Sequence, residues 1–476
     1  MAFLVAGTLR LAAQMADTRD SLRRKGKYSL QGPRVALILS SPGVSAAIVA
    51  AVECVFQALG FESCEKRQAS VQGFLEELVW FREWLDAHGG PMGCAIVALV
   101  APNGQLRQPR QLVWELSRCE ALRGCPKVFL LLSSGPRAAP EPGAFLAGLR
   151  ELCGCFPHWS LVQLLTELFC RVAKESAGGT RCPILQSSLR GTLCLRDVEP
   201  WMPEPAAGFT TQYDLSRAKV ALLLAVIQGR PGAQHDVEAL GGLCQTLGFE
   251  TTLRMDPTVQ AFQKELAQFR EQLDTRNSPV SCALVALMAH GGPQGQLVGA
   301  DGQEVQLEVL KQELSHCRAL QDRPKIFLLQ ACRGGNRDAG VGPTALPWYW
   351  RWLQAPPAIP SHADVLQIYA DAKDSSSRYC LLGSSEQADI LTVYSAAEGY
   401  VAYRDEKGSD FIQTLVEVLQ ANPGRDLVEL LTEHCCPISA SPWGPSDASP
   451  PLQSGIGTRR PGLQLWRPRG HCRVLC

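Results

Sequence analysis

The chain predicts an α/β fold, a mostly parallel β-sheet flanked by helices, laid out once complete and once degenerate. Three observations predict it. Uncharged apolar runs of strand length, Val220 to Val226, Cys282 to Met288 and Ile326 to Leu329, have the unbroken hydrophobicity of parallel strands covered on both faces. Between them apolar residues recur three and four positions apart, as in Phe262, Leu266, Phe269 and Leu273 and again in Leu307, Leu310, Leu314 and Cys317, which is one face of a helix. Strands that alternate with helices imply a parallel sheet. The third observation is that the upstream sequence repeats the same pattern.

The repeat sets the domain boundaries. Tyr28 to Leu37 resembles Tyr213 to Leu222 at an offset of 185, and Cys94 to Leu99 resembles Cys282 to Leu287 at 188. Pro126 to Leu131 resembles Pro324 to Leu329 at 198, after which the offset jumps to 266 for Leu161 to Glu167 against Leu427 to Glu433. The first copy therefore lacks 68 residues between these last two matches. In chain order we expect an N-terminal segment at 1–27, the degenerate domain at 28–195, and a linker at 196–212 carrying Pro200, Pro203 and Pro205. The complete domain follows at 213–436, with a large part at 213–334, a linker and insertion at 335–386 and a small part at 387–436, and an irregular tail closes the chain at 437–476.

With 476 residues, 46% of them apolar, the chain can bury two cores. A net charge of +0 argues against nucleic-acid or membrane-surface binding driven by charge. No apolar run is long enough for a spanning helix, and the mildly apolar Met1 to Gln14 is too short for a secretory signal. The 19 cysteines are scattered; Cys153/Cys155, Cys435/Cys436 and Cys472/Cys476 do not form paired C-x-x-C knuckles. We expect no metal and no cofactor, and buried free thiols in a reducing compartment, the cytoplasm first and the nucleus second.

One cysteine stands apart. Cys332 lies in Gln330-Ala331-Cys332-Arg333-Gly334, directly after the apolar run Lys325 to Leu329, and His290 lies in Met288-Ala289-His290-Gly291-Gly292, directly after its own run. Reacting groups on a parallel sheet sit at the carboxyl ends of its strands, where both fall. Taken singly, His290 would be a satisfied core histidine and Cys332 an inert thiol. Together they make a nucleophile and its base, because a thiol attacks well only once deprotonated. The backbone N–H groups of Gly291 and Cys332 are the natural donors for a tetrahedral oxyanion.

These motifs, together with Glu398 to Arg404 and Lys407 to Leu415, resemble the caspase family over about Tyr213 to Glu433. The resemblance implies a cysteine endopeptidase that cuts proteins after aspartate, with ties to apoptosis or epithelial differentiation. It maps the aspartate pocket onto Arg230, Gln330 and Arg404, with Tyr403 beside it where many members have tryptophan. A buried carboxylate needs such fixed cations, and an arginine fork supplies two hydrogen bonds. The resemblance also implies a zymogen, with Asp338 in the Gly-, Pro- and Ala-rich stretch 335–360 as a processing site. Partners are protein substrates with aspartate at the cleaved bond, and a homodimer or another caspase; nucleic acid and membrane are not expected. The alternative is an inactive pseudoprotease that binds without turnover, and a third reading is the poorly folding product of a decaying gene.

The first copy cannot do this chemistry: Ala101-Pro102 stands at the histidine position and Leu132-Ser133-Ser134-Gly135 at the nucleophile. Two further expectations concern the complete copy. His362 to Tyr369 duplicates Gln387 to Tyr394, so residues 362–386 form an extra strand or loop, which could crowd the site, an effect the sequence leaves open. Its closing strand survives as a Gly-broken remnant, Leu452 to Gly457, so the strand at 184–195 of the first copy docks on its sheet edge instead.

Overall fold

A computed structural model describes residues 26–88, 92–102, 110–134, 142–175, 184–195, 213–292, 295–333, 363–369, 389–396, 401–402, 404–422, 424–434 and 471–475. The first half runs β1 (Arg34–Ser40), α1 (Ala46–Ala58), β2 (Glu62–Arg67), α2 (Val71–His88), β3 (Cys94–Pro102), α3 (Arg110–Ser117), β4 (Lys127–Ser134), α4 (Pro142–Cys155), α5 (Leu161–Glu175) and β5 (Ile184–Ser187). The second begins with β6 (Ala218–Ala225), α6 (Ala233–Thr246), β7 (Phe249–Met255), α7 (Val259–Thr275) and β8 (Val280–Met288). A three-stranded flap follows, β9 (His290–Gly291), β10 (Gln296–Val298) and β11 (Glu304–Gln306), and then α8 (Leu307–Ser315) and β12 (Lys325–Gln330). Beyond it lie β13 (Val365–Tyr369), β14 (Ile390–Tyr394), the hairpin β15 (Arg404–Asp405) and β16 (Gly408–Ser409), α9 (Asp410–Ala421), α10 (Leu427–His434) and β17 (His471–Leu475).

Twelve of these strands form one sheet in the order β2-β1-β3-β4-β13-β5-β17-β14-β12-β8-β6-β7. All of β8, and all of β12, is buried, as their unbroken apolar runs require. One face of the sheet carries a single core that crosses the whole molecule, joining Val128 and Leu130 to Leu284 and Ile326. The opposite face carries two separate cores, one under α2 and α3 and one under α7 and α8. Among the described residues no helix is long and apolar enough to cross a membrane.

Both halves set their strands with the same devices. Lys127 and Lys325, buried at the starts of β4 and β12, each give Nζ protons to carbonyls of the preceding turn, of Leu122 and Cys125 and of Leu320 and Arg323. Tyr28 donates its hydroxyl to Asp364 just before β13, and Tyr213 donates to Asp389 just before β14.

The structure bears on three expectations. Residues 363–369 do not crowd the site of the second half. They enter the first half as β13, parallel to β4 and antiparallel to β5, because Asp364 meets Tyr28 and a bidentate Arg190 there. The first half thus takes one of its strands from further along the chain. Second, the 184–195 strand does dock on the edge of the second half: β5 pairs parallel with β17, which in turn pairs with β14. Third, the strand in that closing position is 471–475, whereas the expected remnant at 452–457 lies outside the described residues.

Candidate active site

The site is assembled at the carboxyl ends of β8 and β12, neighbouring parallel strands in which Met288 is level with Gln330. His290 follows one and Cys332 the other. The Ala289 N–H donates to the Gln330 carbonyl at 3.2 Å, which ties the two strand ends together one residue before His290 and two before Cys332. Gly291 then passes so close that a Cβ there would overlap the carbonyl oxygen of Cys332. His290 is exposed and Cys332 half-buried. The flap that begins at His290 pairs Gly291 with Leu297 and His290 with Val298, fixing the backbone on which the imidazole stands.

Arg230 lies in the loop after β6, and its side chain is buried with 4% of its surface exposed. Its Nη atoms donate to the Val226 and Gln330 carbonyls at 2.6 and 3.3 Å, while Nε finds no acceptor among the described residues. Gln330 is buried beside it, with Oε1 likewise without a donor. Burial, and then the nearby Arg404 cation, push the guanidinium of Arg230 down to about 10, against the opposing pull of Asp236 and Cys332. A buried arginine held only by carbonyls is a costly arrangement that a ligand carboxylate would relieve.

Arg404 comes from the opposite side, on β15, and donates through Nε to the Pro231 carbonyl at 2.7 Å. The loop and hairpin are clamped from below. Asp236, buried in the first turn of α6, accepts from the Ser409 N–H at 2.8 Å and from Gln413 Nε2 at 3.2 Å. Gly232, at φ +75°, packs its Cα against the Asp405 carbonyl, where any Cβ would overlap. Partial burial, then Arg230 and then Arg404, hold the His290 imidazole below its ordinary 6.5. Arg230 is therefore within electrostatic reach of Arg404, His290 and Cys332, and His290 of both arginines.

The structure brings His290, Gly291, Cys332, Arg230, Gln330 and Arg404 together at one end of the sheet. Tyr403 and Asp338 lie outside the described residues. Several contributors escaped sequence reasoning. The Ala402 N–H donates to the Cys332 sulfur at 3.4 Å, and a backbone donor leaves no trace in residue type. The Arg333 guanidinium stacks over the Tyr394 ring at 4.2 Å, holding the residue after the nucleophile against β14. No helical stripe is read over 233–246 from the sequence, so neither Asp236 nor Gly232 gives a signal.

A mostly parallel sheet carrying a cysteine and a histidine on adjacent strand ends defines a cysteine-protease-like α/β protein. A Caspase domain model matches residues 218–437, and the chain belongs to the caspase family. Human caspase-14 is 40% identical over 237 residues, which are 49% of this chain and 86% of that protein. Mouse caspase-14 is 37% identical over 265 residues, 54% of this chain and 97% of that protein. Rat caspase-8 is 27% identical over 214 residues, 44% of this chain and 40% of that protein. The family is one of cysteine proteases.

Proposed function

We propose that the second half is an endopeptidase that cleaves protein chains after aspartate, and that the first half, a degenerate copy of the same domain, is catalytically inert. The observation that carries the reading is the buried Arg230, without a carboxylate among its hydrogen-bond partners and with an unused Nε–H, beside Arg404 and Cys332. A substrate aspartate would enter there, placing its own carbonyl over the sulfur. His290 takes the Cys332 proton, the thiolate attacks that carbonyl carbon, and the N–H groups of Gly291 and Cys332 receive the oxyanion. The carbon–nitrogen bond then breaks as His290 returns the proton to the departing amine. Water hydrolyses the thioester with His290 again as base. Pro102 and Ser134, at the corresponding strand ends of β3 and β4, offer neither base nor thiol.

Cleavage at Asp338, a cytoplasmic setting and a role in epithelial differentiation or cell death belong to the same reading through the family. The Ala402 amide on the Cys332 sulfur favours a second one, a binding module without turnover, since Ala402 must move aside before a substrate can take its place at the sulfur. An irreversible aspartyl probe applied to the full chain separates them. Labelling that depends on Cys332 and His290 supports the enzyme, and a chain that binds aspartyl peptides reversibly without ever being labelled supports the second reading. Cys332→Ala and His290→Ala are the controls.

A further inference from the structure

Strand directions show how the two halves are joined. In the first half β1, β2, β3, β4 and β13 run parallel, and β5 runs against β13. From β5 onward, through β17, β14, β12, β8, β6 and β7, every pairing is parallel. The two sets of five strands that match in sequence thus point in opposite directions, as a two-fold axis would arrange them, while the central pair β5 and β17, running parallel, departs from that symmetry. A contact beside the sheet obeys the same axis. Gln163 and Glu429 occupy equivalent positions in the two copies, at the sequence offset of 266, and they touch each other, Gln163 Nε2 donating to Glu429 at 2.7 Å. A residue that meets its own counterpart is the mark of an isologous interface. Here both sides belong to one polypeptide.

The four central strands are β13, β5, β17 and β14, and three of them come from residues beyond 362. Of these, β13 fits the first half through a built socket. Asp364, 1% exposed, accepts from Tyr28 at 2.6 Å and from both arms of Arg190 at 2.8 and 2.7 Å, and its carbonyl receives the Lys127 N–H. Val365 completes the core under α2 and α3, while Leu366 and Ile368 join the core on the other face.

We propose that the first half is a permanent internal partner for the second, and that the C-terminal segment is the clamp that joins them. The chain then closes its twelve-stranded sheet without a second copy. A cut between 334 and 362 leaves a C-terminal piece inserted in both halves at once, so that the two pieces cannot part while the sheet is intact. This joining of the halves stands whether or not Cys332 is active.

The test uses the full chain with a site for a sequence-specific protease inserted between Gly340 and Pro343 and, in a second variant, Gln186→Cys and Gln367→Cys added. These two positions are opposite each other in the antiparallel β5–β13 pair, within disulfide reach. Light scattering after gel filtration should give the mass of one chain before and after cutting. On a non-reducing gel the cut cysteine variant should run as one species of single-chain mass, its pieces joined, and the two single-cysteine variants should not. A two-chain mass, a cross-link between chains, separation of the cut pieces, or no cross-link would each overturn the proposal.

Discussion

At Gly291 the backbone leaves no room for a side chain against the Cys332 carbonyl. Gly291→Ala must push the two strand ends apart, moving His290 relative to Cys332 and displacing the N–H proposed as an oxyanion donor. Loss of one such donor costs about 10²–10³ in rate. We expect aspartyl-probe labelling to slow by at least that factor while the circular dichroism spectrum is kept; labelling within about 3-fold of the parent would show that this contact does not position the site. His290 gives a prediction of direction. Burial and then the two arginine cations disfavour the imidazolium, so His290 stays neutral, and able to accept the thiol proton, below pH 6.5. Alkylation of Cys332 by iodoacetamide should therefore have an acid limb below that value. Arg404→Met removes one repelling cation and should move the limb upward, toward the ordinary histidine value; a shift downward or none would mean that the arginine does not act on His290.

Among the elements, β13 depends most on one side chain. Burial alone would raise the Asp364 carboxyl, yet Arg190, and then Lys127 and Tyr28, carry it below its usual 3.8. Its contribution to stability is then fully present above 3.8 and is lost as pH falls through the lower folded value. Asp364→Ala leaves Arg190 and Tyr28 without that acceptor and should cost about 3–5 kcal/mol, as when one partner of a buried pair is removed. Hydrogen exchange should show β13 and β5 losing protection before β12 and β8; equal loss everywhere would argue against a local socket. The sequence made much of this legible. Apolar runs announced β6, β8 and β12, and the Cys332 and His290 motifs announced the site, because burial and chemistry both constrain residue type. The duplicated segment was visible at 362–369, but its destination was not. Pairing across the sheet is set by Arg190 and Tyr28, more than 170 residues away, and nothing local to Asp364 records them. The edge strand β7 was missed for a related reason, since most of its side chains are exposed and carry no apolar run.

For the whole molecule the question is whether the halves unfold separately. On one face of the sheet the core is continuous from the first half to the second, and removing either half would expose it. On the other face the cores are separate, so that face alone would permit independent melting. The shared core and the interleaved central strands favour a single cooperative unit, and magnitudes allow a test. Unfolding entropy near 60 °C is about 2.1 cal/mol/K per residue, so about 1 kcal/mol/K for the full chain and about 0.4 for a half of roughly 200 residues. The about 3–5 kcal/mol lost in Asp364→Ala should then lower one common transition by about 3–5 °C. Independent halves would instead split, the first falling by about 7–12 °C and the second staying in place. Scanning calorimetry of the parent and the variant should show one peak in each, with calorimetric and van't Hoff enthalpies in agreement. A second peak in the variant at the parent's temperature would mean that the first half, though built into the same sheet, folds as a separate body.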